Sequence, residues 1–279
     1  MNATLLAEIE KLDGRDVHNF CWGTLDTYFY LTAPKTQVEL IDDLLVIRNT
    51  PGGKMKAFDF STADSISPAF RKVNKEMPVY TITKKEAIKG TKFLEMAYDV
   101  KQVLAPESYP NAKKRYKRLT RPLTILQSTG IEIRALRRAD IMAIKRLHDA
   151  WVNYKMAQPA TFKMMFPKAR YMRCAAIALD FDDYLTYGAF QEDRLLFVRI
   201  LYQQDHHAYD LAFFGDTWDR ALPGDLAESI ALKVLLDLQA RGIETLNCGA
   251  SLNKNLHAFK AHWPSYEVIS YAYAKGACL

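Results

Sequence analysis

The C-terminal half of this 279-residue sequence alternates between helix and strand patterns in an order that is moderately specific, because other α+β folds share part of it. Apolar residues recur with the helical period at 141–154 and 226–241, and three consecutive runs between 184 and 214 are strand-like. This order is typical of an α+β fold in which helices flank a mainly antiparallel sheet. The predicted elements are strands at 131–136, 184–191, 195–202, 208–214, 245–248 and 266–274, and helices at 141–154, 161–178, 226–241 and 251–263.

Short polar motifs mark where several of these elements begin and end. Asp140 precedes a helical run as a predicted N-cap. Asp225 and Glu228 have the spacing of a capping box at the start of the longest helix, and Gly242 follows its end. The Glu-Asp-Arg sequence at 192–194 predicts a hairpin turn between two strands.

The N-terminal half has weaker signals. Strands are predicted at 24–31, 40–48, 55–60 and 79–83, a turn at 51–53, and a helix at 84–96. A chain of this length can form two domains, and a basic stretch flanked by prolines marks the join between them. We therefore predict an N-terminal lobe at 1–105, a basic linker or helix at 106–129 and a C-terminal lobe at 130–279.

Composition limits where the chain works and what it binds. Hydrophobic residues make up 49% of the sequence, which is enough for a sizeable core, yet no apolar run is long enough to span a membrane. Cys21, Cys174, Cys248 and Cys278 form no CxxC pair, which disfavours a zinc site and favours free thiols. Acidic residues occupy the place of a signal peptide's apolar stretch. We expect a cytoplasmic protein without a metal.

Positive charge is concentrated in one segment of the chain. The formal net charge of +6 favours polyanionic partners only mildly. The segment alternates cations with Tyr116 and Leu119, so it is either a helix face that contacts RNA or DNA phosphates or a solvated linker. The residues of this basic segment that we expect to bind a polyanion are Lys113, Lys114, Arg115, Lys117 and Arg118.

A motif in the last third of the chain points to a family. A strand of the form G-x-x-x-x-N-x-G is followed by a small-residue turn and a helix with F-K-x-x-W. The matching residues are Gly242, Asn247, Gly249, Ala250, Phe259, Lys260 and Trp263. The motif resembles the C-terminal domain of phosphatidylglycerol lysyltransferases and, more loosely, the Fem-type aminoacyltransferases. Tyr98, Asp99 and the basic segment resemble that family's link between two lobes, and the element order is that of the GNAT superfamily.

The resemblance implies tandem GNAT-like lobes, each a mixed, mainly antiparallel sheet flanked by helices. It also implies transfer of an acyl or aminoacyl group from acyl-CoA or aminoacyl-tRNA to an amine or hydroxyl. The acceptor would attack the donor carbonyl directly, with no covalent enzyme intermediate. The lysyltransferases usually join this domain to a membrane domain that this sequence lacks, so we expect a peptide, metabolite or modified nucleobase as acceptor. The alternative is a nucleic-acid-associated binding protein on a catalytically degenerate GNAT scaffold.

The predicted donor site lies before the longest helix. Free N–H groups and the helix dipole favour a phosphate at such a helix N-terminus, although a plain surface loop is the alternative. Acetyl-CoA-binding members of the superfamily carry Arg/Gln-x-x-Gly-x-Gly/Ala there, whereas this chain has a different spacing. The candidate donor-binding residues are Phe214, Gly215, Arg220, Gly224 and Asp225.

Five residues are candidates for the chemistry. Asn247 can offer its amide to a donor carbonyl or an incoming amine, or simply satisfy neighbouring backbone. Lys260 can stabilise charge on a carbonyl oxygen or remain solvated. His257 has the pKa range of a general base. Asp210 can orient an amine or a lysine, or end a strand as a plain acid, and Ser251 can cap a helix and still face a pocket.

Overall fold

The structure is a computed structural model, and it falls into two compact units, Met1–Glu95 with Glu267–Leu279 and Met96–Tyr266. It describes residues 37–48, 55–61, 63–81, 83–86, 88–157, 172, 174–176, 178–180, 182, 184–216, 219, 221–250 and 254–278. The strand predicted at 24–31 and most of the helix predicted at 161–178 lie outside the described residues. The proposed division of the chain at 105 and 129 stays a prediction.

Unit 1 is a five-stranded mixed sheet with one described helix. Its strands are β1 (Gln37–Ile41), β2 (Leu44–Arg48), β3 (Lys56–Asp59), β4 (Val79–Thr81) and β11 (Tyr266–Tyr273), in the order β1-β2-β3-β4-β11. The first three strands are antiparallel, and β4 runs parallel to β3 because helix α1 (Pro68–Glu76) joins them as a crossover. The last strand of the chain therefore completes the sheet of unit 1.

The single strand predicted at 40–48 is wrong: the chain turns back within it. Asp42 has φ of 51°, and Ile41 pairs directly with Leu44 across the turn. Aspartate tolerates the left-handed conformation that a tight hairpin requires. The turn was not predicted because the apolar residues at the end of β1 and in β2 together look like one continuous apolar run.

Helix α1 covers one face of unit 1. Ser67 caps it by accepting a hydrogen bond from the Phe70 N–H at 3.0 Å, and a proline follows in the first turn. Phe70 and Val73 are buried against Leu44 and Tyr273, whose ring meets that of Phe70 edge-on at 5.8 Å between centroids. The repeat of apolar residues along the helix is thus used to form the core of this unit.

A buried ion pair lies at the end of the parallel strand pair in unit 1. The Lys85 ammonium lies 2.8 Å from an Asp59 carboxylate oxygen, and both side chains are almost fully buried. The same ammonium donates to the Ala63 carbonyl at 2.5 Å, and the Lys85 N–H donates to the Tyr273 hydroxyl at 2.6 Å. Burial raises the pKa of Asp59 above its ordinary value, although Lys85 opposes this shift.

The helix predicted at 84–96 is also wrong, because residues Thr91–Asp99 form strand β5. Met96, Ala97 and Tyr98 are consecutive and all buried, so both faces of the strand are covered. Tertiary burial of that kind overrides the helical preference of the individual residues. Gly90, just before the strand, lies so close to the Tyr273 ring that a Cβ would stand 2.6 Å from it.

Unit 2 is a six-stranded sheet in the order β5-β10-β9-β8-β7-β6. Its further strands are β6 (Glu132–Ala135), β7 (Tyr184–Gln191), β8 (Arg194–Gln204), β9 (His207–Gly215) and β10 (Thr245–Ala250). The helices are α2 (Val100–Leu104), α3 (Ala112–Arg115), α4 (Arg121–Thr129), α5 (Ile141–Ala157), α6 (Leu226–Ala240) and α7 (Lys254–Lys260). Strands β6 to β9 are antiparallel, whereas β9 and β10 are parallel. The predicted fold class, two mixed sheets flanked by helices, is confirmed.

Local signals in unit 2 have mixed outcomes. The hairpin turn is confirmed: Gln191 pairs with Arg194, and Glu192 has φ of 53°. Asp140 does not cap helix α5 as predicted. It ends a short 3₁₀ turn, Arg138–Asp140, and its carboxylate binds the Arg134 guanidinium at 2.9 Å through both oxygens. That contact lowers the pKa of Asp140.

Helix α6 packs its predicted apolar stripe against the sheet of unit 2. The buried stripe residues are Leu226, Ile230, Val234, Leu235 and Leu238. Gly242 follows the helix with φ of 76°, as expected of a residue that ends one. Within the described residues, none of the helices is long and apolar enough to cross a membrane.

Candidate functional site

Two parallel strands of unit 2 separate from each other and leave a gap in the sheet. Strands β9 and β10 pair at His207–Thr245, Ala208–Leu246 and Tyr209–Asn247, and in the described chain no pairing continues beyond that point. Both strands go on, however, to Gly215 and Ala250. We call the gap between Asp210–Gly215 and Cys248–Ala250 the wedge. Such a gap exposes backbone hydrogen-bonding groups within an otherwise closed sheet.

The β10 side of the wedge is held by three linked hydrogen bonds. Gly249, with φ of 67°, donates its N–H to the Asn247 side-chain oxygen at 2.7 Å. The Lys260 ammonium donates to the Gly249 carbonyl at 2.7 Å, and the Tyr98 hydroxyl donates to the Lys260 carbonyl at 2.6 Å. Asn247 and Lys260 are both buried. The structure therefore brings together two of the predicted catalytic residues, Asn247 and Lys260.

A buried ion pair lies at the narrow end of the wedge. Asp210 is the first β9 residue after the paired segment, and its Oδ2 accepts from Arg199 Nη2 at 2.7 Å and from Arg199 Nε at 3.2 Å. The side chain of Arg199 is 4% exposed. Arg199 Nη1 and Asp210 Oδ1 are buried and have no hydrogen-bond partner among the described residues. The ion pair therefore leaves one hydrogen-bond donor, Arg199 Nη1, and one hydrogen-bond acceptor, Asp210 Oδ1, available in a buried site.

Sequence reasoning missed Arg199, although a signal exists. A lone arginine stands in the apolar run LLFVRILY of strand β8. A charge in such a run is buried only when it is paired. A β-bulge at Leu211, where Leu201 pairs with Asp210 and Ile200 with Ala212, shifts the register, and the Asp210 carboxylate reaches the Arg199 guanidinium. The Arg199 guanidinium also lies over the Phe213 ring, 5.3 Å from its centroid.

Cys248 lies among these charged groups, and its thiol is held in the neutral form. Burial raises the pKa of its thiol to about 12, and the Asp210 carboxylate acts in the same direction. Burial likewise raises the pKa of the Tyr98 hydroxyl above its ordinary value. Both groups are therefore neutral near pH 7, and the reactive thiolate form of Cys248 is scarce.

We expect Cys248→Ser to retain at least about a third of wild-type activity, because a serine hydroxyl can replace the thiol in its hydrogen bond with the Tyr98 hydroxyl and no thiolate is needed. Native protein treated with iodoacetamide at neutral pH should label Cys248 far more slowly than denatured protein, as peptide mass spectrometry can measure. Rapid native labelling together with an inactive serine variant would show that the thiol takes part in the reaction.

Aromatic side chains line the wedge on the helix α6 side. The Phe213 and Phe259 rings lie 6.3 Å apart, and Phe259 meets Trp263 at 6.2 Å. Trp263 in turn meets Tyr98 edge-on at 6.0 Å between centroids. The F-K-x-x-W motif therefore places two aromatic rings in the core and directs its lysine to the turn at Gly249.

The predicted capping box at helix α6 is wrong. Asp225 makes no capping hydrogen bond with its side chain and instead forms an ion pair with Arg121 at 2.7 Å. Glu228 is buried and accepts from Arg118 at 2.5 Å. Both carboxylates turn toward cations of the preceding helical segment because a guanidinium forms a stronger hydrogen bond than a backbone N–H.

The other predicted donor-site residues are spread around this helix end. Phe214 is buried against the Trp151 ring at 5.7 Å, and Gly215 packs so closely on Phe197 that a Cβ would stand 2.1 Å from that ring. Gly224 is exposed, whereas Arg220 lies outside the described residues. Phe214 and Gly215 therefore shape the end of strand β9, and their role in donor binding stays a prediction.

The remaining predicted residues fall at the surface or outside the described residues. His257 is exposed on helix α7, and Ser251 is not among the described residues. Across helix α3 and the π-helical turn Tyr116–Thr120, the four exposed cations of the basic segment are Lys113, Lys114, Arg115 and Lys117. Arg118 differs from these four because it is bound to Glu228.

In the part of the chain that the structure describes, no group of three or more His, Cys, Asp or Glu side chains is placed to hold a metal ion. No protein-family model matches the sequence, and no curated protein is similar to it. The comparison with solved structures is informative instead.

Solved structures match the whole chain. A conserved protein of unknown function from Bacteroides thetaiotaomicron matches with a TM-score of 0.65 at 15% identity, over 96% of each chain. The C-terminal domain of a protein described as a lysylphosphatidylglycerol synthetase from Agrobacterium fabrum matches with a TM-score of 0.58 at 11% identity, over 87% of this chain and 85% of the other. The chain has a GNAT-like fold. A GCN5-related N-acetyltransferase-like protein from Streptococcus suis also matches this fold, with a TM-score of 0.50 at 9% identity over 97% of each chain.

The GNAT-like fold confirms the resemblance that the sequence motif suggested. In this chain the motif residues Asn247, Gly249 and Lys260 lie at the β10 side of the wedge of unit 2. At such low identity the similarity establishes the fold and leaves the reaction to be argued from the site.

Proposed function

We propose that the chain is an acyl or aminoacyl transferase whose donor enters the wedge of unit 2. The observation that carries this proposal is the end of β9–β10 pairing at Tyr209–Asn247, with charged and amide side chains gathered where the strands part. Backbone groups left unpaired in a sheet need partners, and an extended donor arm supplies them as an added strand does.

The chain's own residues suit direct attack on a carbonyl. The acceptor amine forms a bond to the carbonyl carbon, the carbonyl electrons move to oxygen, and the oxygen or sulfur of the donor then leaves with the proton lost by the amine. Cys248 has the raised thiol pKa described above, which disfavours a covalent intermediate on this thiol. We infer that Asn247 and Lys260 fix the β10 edge of the wedge while the two substrates react.

An aminoacyl-tRNA is the donor that the charges favour. Phosphates bind helix N-termini through free N–H groups, but the N-terminus of helix α6 already carries the carboxylates of Asp225 and Glu228. Arg121 and Arg118 neutralise these carboxylates, so this helix end has no excess positive charge to bind the diphosphate of an acyl-CoA. Nearby, the four exposed cations of the basic segment have no ion pair within the described chain. Their exposed positive charge suits the phosphates of a larger polyanion such as tRNA.

Thermal unfolding with three ligands tests the proposal. A ligand at a hundredfold its dissociation constant adds about 2.7 kcal/mol to stability, which raises the Tm by several degrees for units of this size. We expect a mixture of aminoacyl-tRNAs to raise the Tm more than uncharged tRNA does. A rise with acetyl-CoA instead would identify an acyl-CoA enzyme. Equal rises with charged and uncharged tRNA would favour the nucleic-acid-binding alternative on a degenerate scaffold.

We expect the quadruple variant with Lys113, Lys114, Arg115 and Lys117 changed to Glu to bind tRNA at least about 100-fold more weakly at moderate salt. Each lost phosphate contact lowers the slope of log K against log salt by about 0.7–0.9. Filter binding across a salt series measures both quantities. The control changes the exposed Lys72 and Lys75 of helix α1 to Glu; a loss of the same size in this control would show that the effect is not specific to the basic segment.

A further inference from the structure

We infer that Arg199 is a catalytic residue that binds the carbonyl oxygen of the donor as negative charge develops on it, with Asp210 as its positioning residue. The inference rests on the proposed function, because it requires the donor carbonyl to lie in the wedge. No sequence motif indicated this residue.

The guanidinium of Arg199 is held in one orientation. Two nitrogens of the guanidinium, Nε and Nη2, are bound to one oxygen of Asp210, which fixes the plane of the group. The third nitrogen, Nη1, is buried without a partner among the described residues. An N–H donor that is held rigidly and left open is preorganised for an acceptor that arrives with the substrate. Asp210 is the first β9 residue of the wedge, so this N–H group lies at the narrow end of the wedge.

The charges at the narrow end of the wedge favour an anion. Three ionic groups surround the Cys248 thiol at this end, namely Arg199, Asp210 and Lys260, and their formal charges leave one positive charge in excess. An oxyanion neutralises that excess, whereas an additional cation would increase it. Electrostatic stabilisation is strongest where water is excluded, and the Arg199 side chain is 4% exposed.

Arg199 and Lys260 have different roles at the wedge. The Lys260 ammonium donates to the Gly249 carbonyl at 2.7 Å, so it serves the shape of the β10 turn. Burial opposes the charged form of Arg199, but Asp210 together with Cys248 and Tyr98 more than offsets burial, and the Arg199 pKa is raised above its ordinary value. Arg199 is therefore charged throughout the pH range in which the protein is folded, and its action does not depend on a proton transfer.

The chemical step places the electrons on an atom that Nη1 can reach. When the acceptor nitrogen bonds to the carbonyl carbon, the carbonyl π electrons move to oxygen, and that oxyanion accepts the Nη1 hydrogen bond. Collapse restores the carbonyl and breaks the bond to the leaving oxygen of tRNA or sulfur of CoA, which takes up the proton from the nitrogen. Arg199 neither gains nor loses a proton.

The test measures single-turnover formation of hydroxamate from a mixture of aminoacyl-tRNAs, or separately from acetyl-CoA, with hydroxylamine as acceptor. We expect Arg199→Lys, which keeps a cation beside Asp210 but lacks Nη1, to slow this step by about 100- to 1,000-fold. Its donor dissociation constant should change by less than about threefold, because the interaction forms mainly in the transition state. A role confined to structure would change binding and rate together.

Two further variants keep the inference testable if Arg199→Lys does not fold. Arg199→Ala should regain activity when guanidinium is added at a non-denaturing concentration, and methylammonium should not replace it. Asp210→Asn should lower the rate while leaving the donor dissociation constant unchanged. A folded Arg199→Lys protein with the wild-type single-turnover rate, or an Arg199→Ala protein that is fully active without guanidinium, would overturn the role of Arg199 alone. Wild-type protein that gives no hydroxamate with either donor would overturn the proposed function as well.

Discussion

A fragment comprising residues 130–279 should be unfolded when it is produced alone. The fragment lacks β5, the neighbour of β10, and with it the buried residues Met96 and Tyr98. It also lacks Val100 and Val103 of helix α2, which are fully buried in the core cluster against helix α6. An edge left without a strand and a core left without one of its helices expose apolar surface that the fragment cannot cover.

The loss is large enough to decide the outcome. Burying one such side chain contributes about 1.5–3 kcal/mol, and a domain of this size has a total stability of only about 5–15 kcal/mol. Far-ultraviolet circular dichroism and thermal unfolding measure the result. The matched control is a fragment of residues 90–266, which keeps β5 and omits most of β11. Cooperative unfolding of the 130–279 fragment, at a Tm close to that of the full chain, would contradict the sheet order of unit 2.

Lys85→Ala should destabilise the protein by about 3–5 kcal/mol, the usual consequence of removing one partner from a buried ion pair. The variant leaves the Asp59 carboxylate buried, 4% exposed, without the ammonium that lies 2.8 Å from it. It also removes the hydrogen bond to the Ala63 carbonyl. Urea unfolding followed by fluorescence measures the change in free energy.

The double variant Asp59→Leu with Lys85→Met is the control, and its stability should lie within about 1–2 kcal/mol of wild type because no charge remains buried. The pH dependence gives a second check. Burial already raises the pKa of Asp59, and removal of Lys85 raises it further. A raised carboxyl pKa destabilises only above the unfolded-state value of about 3.9, so the deficit of Lys85→Ala should shrink as pH falls toward about 4. A deficit that is independent of pH would assign the effect to lost packing.

The strongest periodic patterns predicted the elements that the structure shows, and the errors share a physical cause. Helix α6 was predictable from its apolar stripe, and the strands β7–β9 were predictable from consecutive strand-like runs with a turn signal between the first two. Strand β5 was mispredicted because its core residues are buried on both faces, which removes the alternation of a strand. The strand that completes the sheet of unit 1 was not predictable. Strand β11 pairs with β4, which is far from it in sequence, and local patterns carry no information about such pairing.

The candidate site was only partly predictable for a similar reason. The family motif indicated Asn247 and Lys260, and the structure places both beside Gly249. Arg199 belongs to a strand that looks like plain core in the sequence, and only the register of β8 against β9 places it beside Asp210. Side chains that meet across a sheet depend on that register, which a bulge changes by one residue.

Amide hydrogen exchange with and without a saturating mixture of aminoacyl-tRNAs tests the central claim most directly. If the donor enters the wedge, peptides covering 210–215 and 248–250 should exchange more slowly in its presence, because their backbone groups gain partners there. Uncharged tRNA should protect the basic segment but not these two peptides. If aminoacyl-tRNAs also protect only the basic segment and leave exchange across the wedge unchanged, the donor does not enter the wedge and the proposed function is contradicted.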